Sequence, residues 1–111
     1  MKMEGWKVLG IEESDGERCE CCGTRCPKRR IVLSNGTNEY RYGTNCAAIK
    51  LHGSKTHLSV DKVLRKAKAE SYVNRQIAKF GKAEDVLRKI ADTVNNYYVP
   101  CWVESGEIRM A

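Results

Sequence analysis

The period of the apolar positions separates a β-prone first half of the chain from a helical second half. Trp6-Lys7-Val8-Leu9-Gly10-Ile11 is short, partly β-branched and closed by Glu13-Ser14-Asp15-Gly16, which predicts a strand and then a turn. Arg29-Arg30-Ile31-Val32-Leu33 and Glu39-Tyr40-Arg41-Tyr42 flank an Asn35-Gly36 turn, the pattern of a β-hairpin. Thr44 or Asn45 is then placed to cap a short helix around Cys46, which Gly53 ends. Ser59 is the expected cap of a second helix. Asp61 falls in its first turn, and an apolar stripe runs through Val60, Val63, Leu64, Ala67, Val73, Ile77 and Phe80 to Gly81. Ala83, Val86, Leu87, Ile90, Ala91, Val94, Tyr97 and Tyr98 recur on one face and predict a third helix, stopped by Pro100. The tail has a turn at Glu104-Ser105-Gly106-Glu107 and reads as a short terminal strand or hairpin.

The expected fold class is therefore α+β. A single domain spans 1–111, with a β-rich part at 1–53, a helical part at 59–98 and a tail at 99–111. With 41% hydrophobic residues but one Phe and two Trp, the core should be modest. No apolar run approaches the roughly 18 residues that a membrane span needs, and the opening residues carry no stretch suited to a signal peptide. A soluble, cytoplasmic chain is expected. The glycine fingerprints of dinucleotide and P-loop sites are absent.

Charge changes the picture, because the net +6 is unevenly spread. Residues 18–54 hold seven basic against two acidic side chains, a net of +5, and residues 55–89 hold ten against four, a net of +6. Both ends are acidic. A concentrated positive field in the middle of the chain points to an anionic partner, since local potential steers association. Arg25, Lys28, Arg29, Arg30, Arg41 and Lys50 form one candidate group for phosphate contacts, and Lys62, Arg65 and Lys66 on the second helix form another. The plainer readings are counter-charge to a thiolate site for the first group and a solvated helix face for the second. Tyr40, Tyr42, Tyr97 and Tyr98 are candidates for base stacking, although packing is the more frequent use of such side chains.

Six cysteines in a cytosolic chain read more economically as metal ligands than as disulfides, and four of them lie between Cys19 and Cys26. Cys19 and Cys22, followed by Gly23, have the spacing of a tight turn that points two sulfurs at one ion. Cys46 stands where a helix N-terminus would favour its thiolate. Cys26 is the preferred fourth ligand of a structural Zn2+, with His52, His57 and Cys21 as alternatives, and Cys101 stands apart.

Cys19-Glu20-Cys21-Cys22-Gly23, the run Arg29-Arg30-Ile31-Val32-Leu33 and Tyr42-Gly43-Thr44-Asn45-Cys46-Ala47-Ala48 together resemble the small treble-clef zinc-finger proteins of bacteriophages and mobile elements. The resemblance covers about residues 17–53. It implies a zinc knuckle, a β-hairpin and a helix carrying the last ligand. Related patterns often place a cysteine two residues before the last one, where this chain has Thr44.

Catalytic readings find little support. Neither His52-Gly53-Ser54 nor His57-Leu58-Ser59 supplies the H-x-E of a zinc deaminase, and neither histidine has an adjacent acid for metal-assisted nuclease chemistry. Cys19-x-x-Cys22 lacks the βαβ context of a thiol redox motif. Two functions are expected from this reading. One is a non-enzymatic zinc protein that binds DNA or RNA through its basic loop and helix. The other is a phage-type factor that binds a host protein, with the helices as contact face or homodimer interface.

Overall fold

The computed structural model describes residues 5–110. Three antiparallel strands, β1 (Lys7–Glu13), β2 (Arg29–Ser34) and β3 (Glu39–Tyr42), form a sheet in sequence order. Ile31 and Leu33 alternate on β2 and are fully buried, as a period of two requires. Asn35 Oδ1 accepts from the amides of Thr37 at 2.9 Å and Asn38 at 2.8 Å, so one side chain closes the β2–β3 turn. The pairing of β1 with β2 shifts between Val8 and Gly10, a bulge that leaves Leu9 without an opposite number.

Helix α1 (Thr44–His52) follows directly and buries Ala47 and Ala48. Gly43, not Thr44 or Asn45, is its N-cap residue, and no side chain caps it. Gly53, at φ +74°, donates its amide to Ile49 O and closes the other end in the left-handed conformation that glycine adopts at little cost.

Helix α2 (His57–Phe80) starts two residues before the expected cap. Thr56 is the N-cap, and its hydroxyl accepts from the Ser59 amide at 3.2 Å. Its buried positions fall on two faces. Val63 and Ala67 join the first core with Val8, Ile31, Leu33, Tyr42, Ala47 and Ala48. Ala69 and Val73 join the second with Ile90, Ala91, Val94 and Cys101. Two residues advance a helix by about 200°, so Ala67 and Ala69 turn to nearly opposite sides. The single expected stripe is thus a pair of stripes. Phe80, the last residue of α2, ends up 57% exposed.

Helix α3 (Glu84–Tyr97) opens with Glu84 and Asp85, acids that favour a helix N-terminus, and buries Leu87, Ile90, Ala91 and Val94. Tyr97, expected on the apolar face, is 78% exposed as the final helical residue. The chain closes with the hairpin β4 (Cys101–Glu104) and β5 (Glu107–Met110). Ser105 and Gly106 both have positive φ, +53° and +73°, the conformation of a type I′ turn, in agreement with the turn read from the sequence. No described helix is long and apolar enough to cross a membrane.

Candidate metal centre

The connection from β1 to β2 is a nested loop tied across its width. Ser14 N donates to Lys28 O at 3.0 Å, Cys26 N to Glu17 O at 2.9 Å and Cys19 N to Thr24 O at 2.9 Å. At the tip, Gly23 N returns to Cys19 O at 2.9 Å, with Gly23 at φ +77°. The tip is docked on β3 by a reciprocal pair: Glu20 N donates to Arg41 O at 2.9 Å, and Arg41 N donates to Glu20 Oε1 at 2.6 Å. Since β3 leads straight into α1, this docking carries the tip to the first turn of the helix.

The result is a convergence of three sulfurs. The Sγ atoms of Cys19, Cys22 and Cys46 all lie within 4.8 Å of one another. Four thiolates at about 2.3 Å from a tetrahedral ion stand about 3.8 Å apart, so closure on a metal requires a shift of no more than about 1 Å. The Cys21 amide points at Cys19 Sγ at 3.4 Å, which stabilises negative charge on that sulfur. These three cysteines can hold a metal ion.

Their acidities show how the cluster behaves without a cation. Hydrogen bonds from the Thr24 hydroxyl and amide, then from Cys46 and Cys19, lower the Cys22 thiol from 9.0 to about 7. Burial pushes Cys46 far above its ordinary value, and the Cys22 and Cys19 thiols add to that rise. One thiolate in this space therefore disfavours the next. A divalent cation reverses that relation, because each sulfur it binds is deprotonated.

Cys26 lines the same cleft but lies outside the trio. It is buried, and its thiol donates to Thr24 O at 3.7 Å. Burial, followed by the nearby Cys19 charge, pushes its pKa up, so the Cys26 thiol holds its proton more tightly. A Cβ built on Gly43 would meet Cys26 Sγ at 3.4 Å and Cys19 Sγ at 3.9 Å, so glycine here leaves open the space between the loop sulfurs and the helix. Of the alternative ligands, Cys21 is exposed, His52 lines a different groove, and His57 is the exposed first residue of α2. Cys101 is remote, its thiol donating to Ala91 O at 3.3 Å in the second core.

The nine basic candidates are divided rather than gathered. Arg25, Lys28 and Arg29 line the cysteine cleft. Arg30 and Arg41 instead converge on Glu12, at 2.6 and 3.0 Å, and the Arg30 side chain is only 13% exposed. Arg30 also donates to Arg18 O at 3.1 Å. Burial alone would raise the Glu12 carboxyl, but hydrogen bonds from Arg41 and Arg30, together with their charge, hold it below the ordinary range. These two arginines are thus structural counter-ions, a role that counting charges did not reveal. The clue was cross-strand pairing, since Glu12 stands opposite Arg30 and Glu13 opposite Arg29. Lys50 stands 5.8 Å over the Trp6 ring, while Lys62, Arg65 and Lys66 line the separate groove on α2.

Trp6, Tyr40 and Tyr42 pack together with ring centroids 5.4 to 6.0 Å apart, and Tyr42 is buried. They form part of the wall of the first core rather than an open stacking platform. Comparison with protein-family models, curated proteins and solved structures finds no match to this chain.

Proposed function

We propose that this chain is a non-enzymatic structural-zinc protein that binds nucleic acid, built on a treble-clef-like knuckle, hairpin and helix of the kind found in phage and mobile-element proteins. The observation that carries the reading is the joint placement of three sulfurs and three cations: Cys19, Cys22 and Cys46 meet in a cleft that Arg25, Lys28 and Arg29 also line. Zinc suits soft, crowded thiolates and needs four ligands; Cys26 completes the set once its thiol leaves Thr24 O and turns inward. The metal would contribute about 10–16 kcal/mol of apparent folding free energy, enough to make the loop a rigid platform. Fixed guanidinium and ammonium groups on such a platform bind phosphates with little ordering cost.

Metal analysis of the purified full chain, followed by mobility-shift titrations between about 50 and 200 mM salt, tests both halves. One zinc per chain is expected, together with nucleic-acid binding that weakens steeply as salt rises. The triple variant Arg25→Gln, Lys28→Gln, Arg29→Gln should keep its zinc, and its salt slope on duplex DNA should fall by about 2.7. A chain that carries no zinc and keeps its shape in strong chelator would overturn the reading. A second reading, a factor that docks on a host protein, draws on the exposed Phe80 and Tyr97 at the ends of α2 and α3. It predicts a salt-tolerant protein complex and no nucleic-acid shift.

A further inference from the structure

A second concavity, of about 870 Å³, opens between β1, the end of α1, α2 and the link from α3 to β4. Its volume falls within the range of about 300–1,000 Å³ typical of ligand sites. Two chemistries meet in it. Lys62, Arg65 and Lys66 come from one face of α2 and Lys7 from β1, with Glu70 as the single carboxylate among the lining residues. The walls between them are apolar and aromatic, including Trp6, Val63 and Tyr98.

A solvated helix face would send its cations outward from one element. Here they line a groove that two other segments wall, and Lys7 reaches it from a strand. Arg65 engages Asp61 on its own helix through Nε at 3.0 Å, which leaves the cation in place but fixes its stem. Tyr98 is held by Tyr72, with ring centroids 5.8 Å apart, so its ring is set before any ligand arrives. A positively charged rim around an apolar, aromatic interior complements a ligand with phosphates on one side and flat bases on the other. Paired duplex keeps its bases stacked inside, whereas an unpaired strand can place a base against such a wall.

We infer that this groove is a binding site for single-stranded nucleic acid, with Lys7, Lys62, Arg65 and Lys66 holding the phosphates and Tyr98 stacking on a base. The inference rests on the nucleic-acid reading for the class of its partner, but not for the position of the site, which is distinct from the cysteine cleft.

The test uses the zinc-loaded full chain and a fluorescein-labelled thymidine strand of about ten nucleotides, read by anisotropy across a salt series. The double variant Lys62→Gln, Lys66→Gln should lose about tenfold in affinity and flatten the salt slope by about 1.4. Photocross-linking of a strand that carries 5-iodouracil should label the peptide containing Tyr98. Unchanged affinity and slope in this variant, with binding lost in the Arg25, Lys28, Arg29 variant, would sink the groove and leave the cysteine-cleft platform standing. No strand binding by the parent chain at low salt would sink the groove, while the duplex titrations decide the cysteine-cleft platform separately. Equal displacement of the strand by a polyglutamate peptide of matched charge would overturn the nucleotide assignment in favour of an acidic protein partner.

Discussion

Ser71 Oγ lies 2.8 Å from the Ile11 amide nitrogen, so a helix side chain satisfies a donor on the open edge of β1. Next to it, a Cβ on Gly10 would come within 2.8 Å of the same oxygen, and Asn74 Nδ2 reaches Leu9 O at 3.4 Å. The bulge and the glycine thus let α2 close on the edge strand. Ser71→Ala should cost about 1–2 kcal/mol by stranding the Ile11 amide, and Gly10→Ala about 1–3 kcal/mol by overpacking. Removing the oxygen clears the space that the new methyl needs, so the double variant should cost less than the sum. Urea unfolding of the four proteins in a cycle gives the coupling, and strict additivity would mean that the two residues do not meet.

Glu12→Gln should destabilise the fold by about 1–2 kcal/mol near neutral pH, since Arg30 loses the charged partner that accompanies its burial. The Glu12 carboxyl is lowered in the folded state, so its contribution is fully present above the unfolded value of about 4.5 and is lost as pH falls through the folded value. The stability difference between parent and variant should therefore shrink below about pH 4.5. Denaturant unfolding of both proteins across pH checks this, and taking the difference cancels any shared effect of metal loss. A gap that stays constant down to strong acid would show that the carboxylate charge plays no part.

Periodic features were legible in the sequence because they depend only on near neighbours. Ile31 and Leu33 alternate as a half-buried strand must, and the Asn35-Gly36 and Ser105-Gly106 turns follow from their own residues. Thr56 and Ser59 are both competent caps at a spacing of three. Only the hydrogen bond from the Ser59 amide to the Thr56 hydroxyl decides which one acts. The split of α2 into two buried faces was invisible because it depends on which elements pack on either side. In the cysteine cluster, close spacing pointed to Cys19 and Cys22, and the hairpin brought in Cys46. The orientation of Cys26 depends on a carbonyl in its own loop, and the fate of Arg30 and Arg41 on a carboxylate in another strand. Neither leaves a local pattern.

One amide side chain on α3 bonds both backbone groups of the first residue of the terminal hairpin. Asn95 Nδ2 donates to Cys101 O at 2.7 Å, and its Oδ1 accepts from Cys101 N at 2.8 Å. Asn95→Ala removes both bonds, and Asn95→Asp keeps only the acceptor. Losses of about 1–2 kcal/mol for alanine and less for aspartate are expected. Hydrogen exchange should speed up first at Cys101, while amides in β2 stay protected.

Cys22 should be the first of the three clustered thiols to be alkylated in metal-free protein near neutral pH. It is exposed, and its thiol is lowered to about 7, whereas Cys46 is pushed up by burial. Because the thiolate is the nucleophile, the Cys22 rate should climb through about pH 7 and level off above it. Mass mapping after brief iodoacetamide treatment in chelator reads the order of labelling. Equal labelling of Cys22 and Cys46 at pH 7 would contradict the arrangement around Thr24.

Gly43 separates a steric from a conformational account of the centre. Its φ of −61° and ψ of 160° suit any residue, so a larger side chain meets no backbone penalty. A Cβ at that position would make contacts of 3.4 Å with Cys26 Sγ and 3.8 Å with Cys19 Cβ, close but close to ordinary packing. Gly43→Ala should therefore hold zinc nearly as the parent does. Gly43→Val adds two methyl groups directed at the sulfurs and should weaken zinc by about tenfold or more in competition with a chromophoric chelator. The helix itself should persist in both variants, because α1 is ended by Gly53 and packs through Ala47 and Ala48, which the substitution does not touch. If valine and alanine retain zinc equally, the sulfurs do not close on the space in front of Gly43, and the fourth ligand must approach from the exposed side, where Cys21 lies.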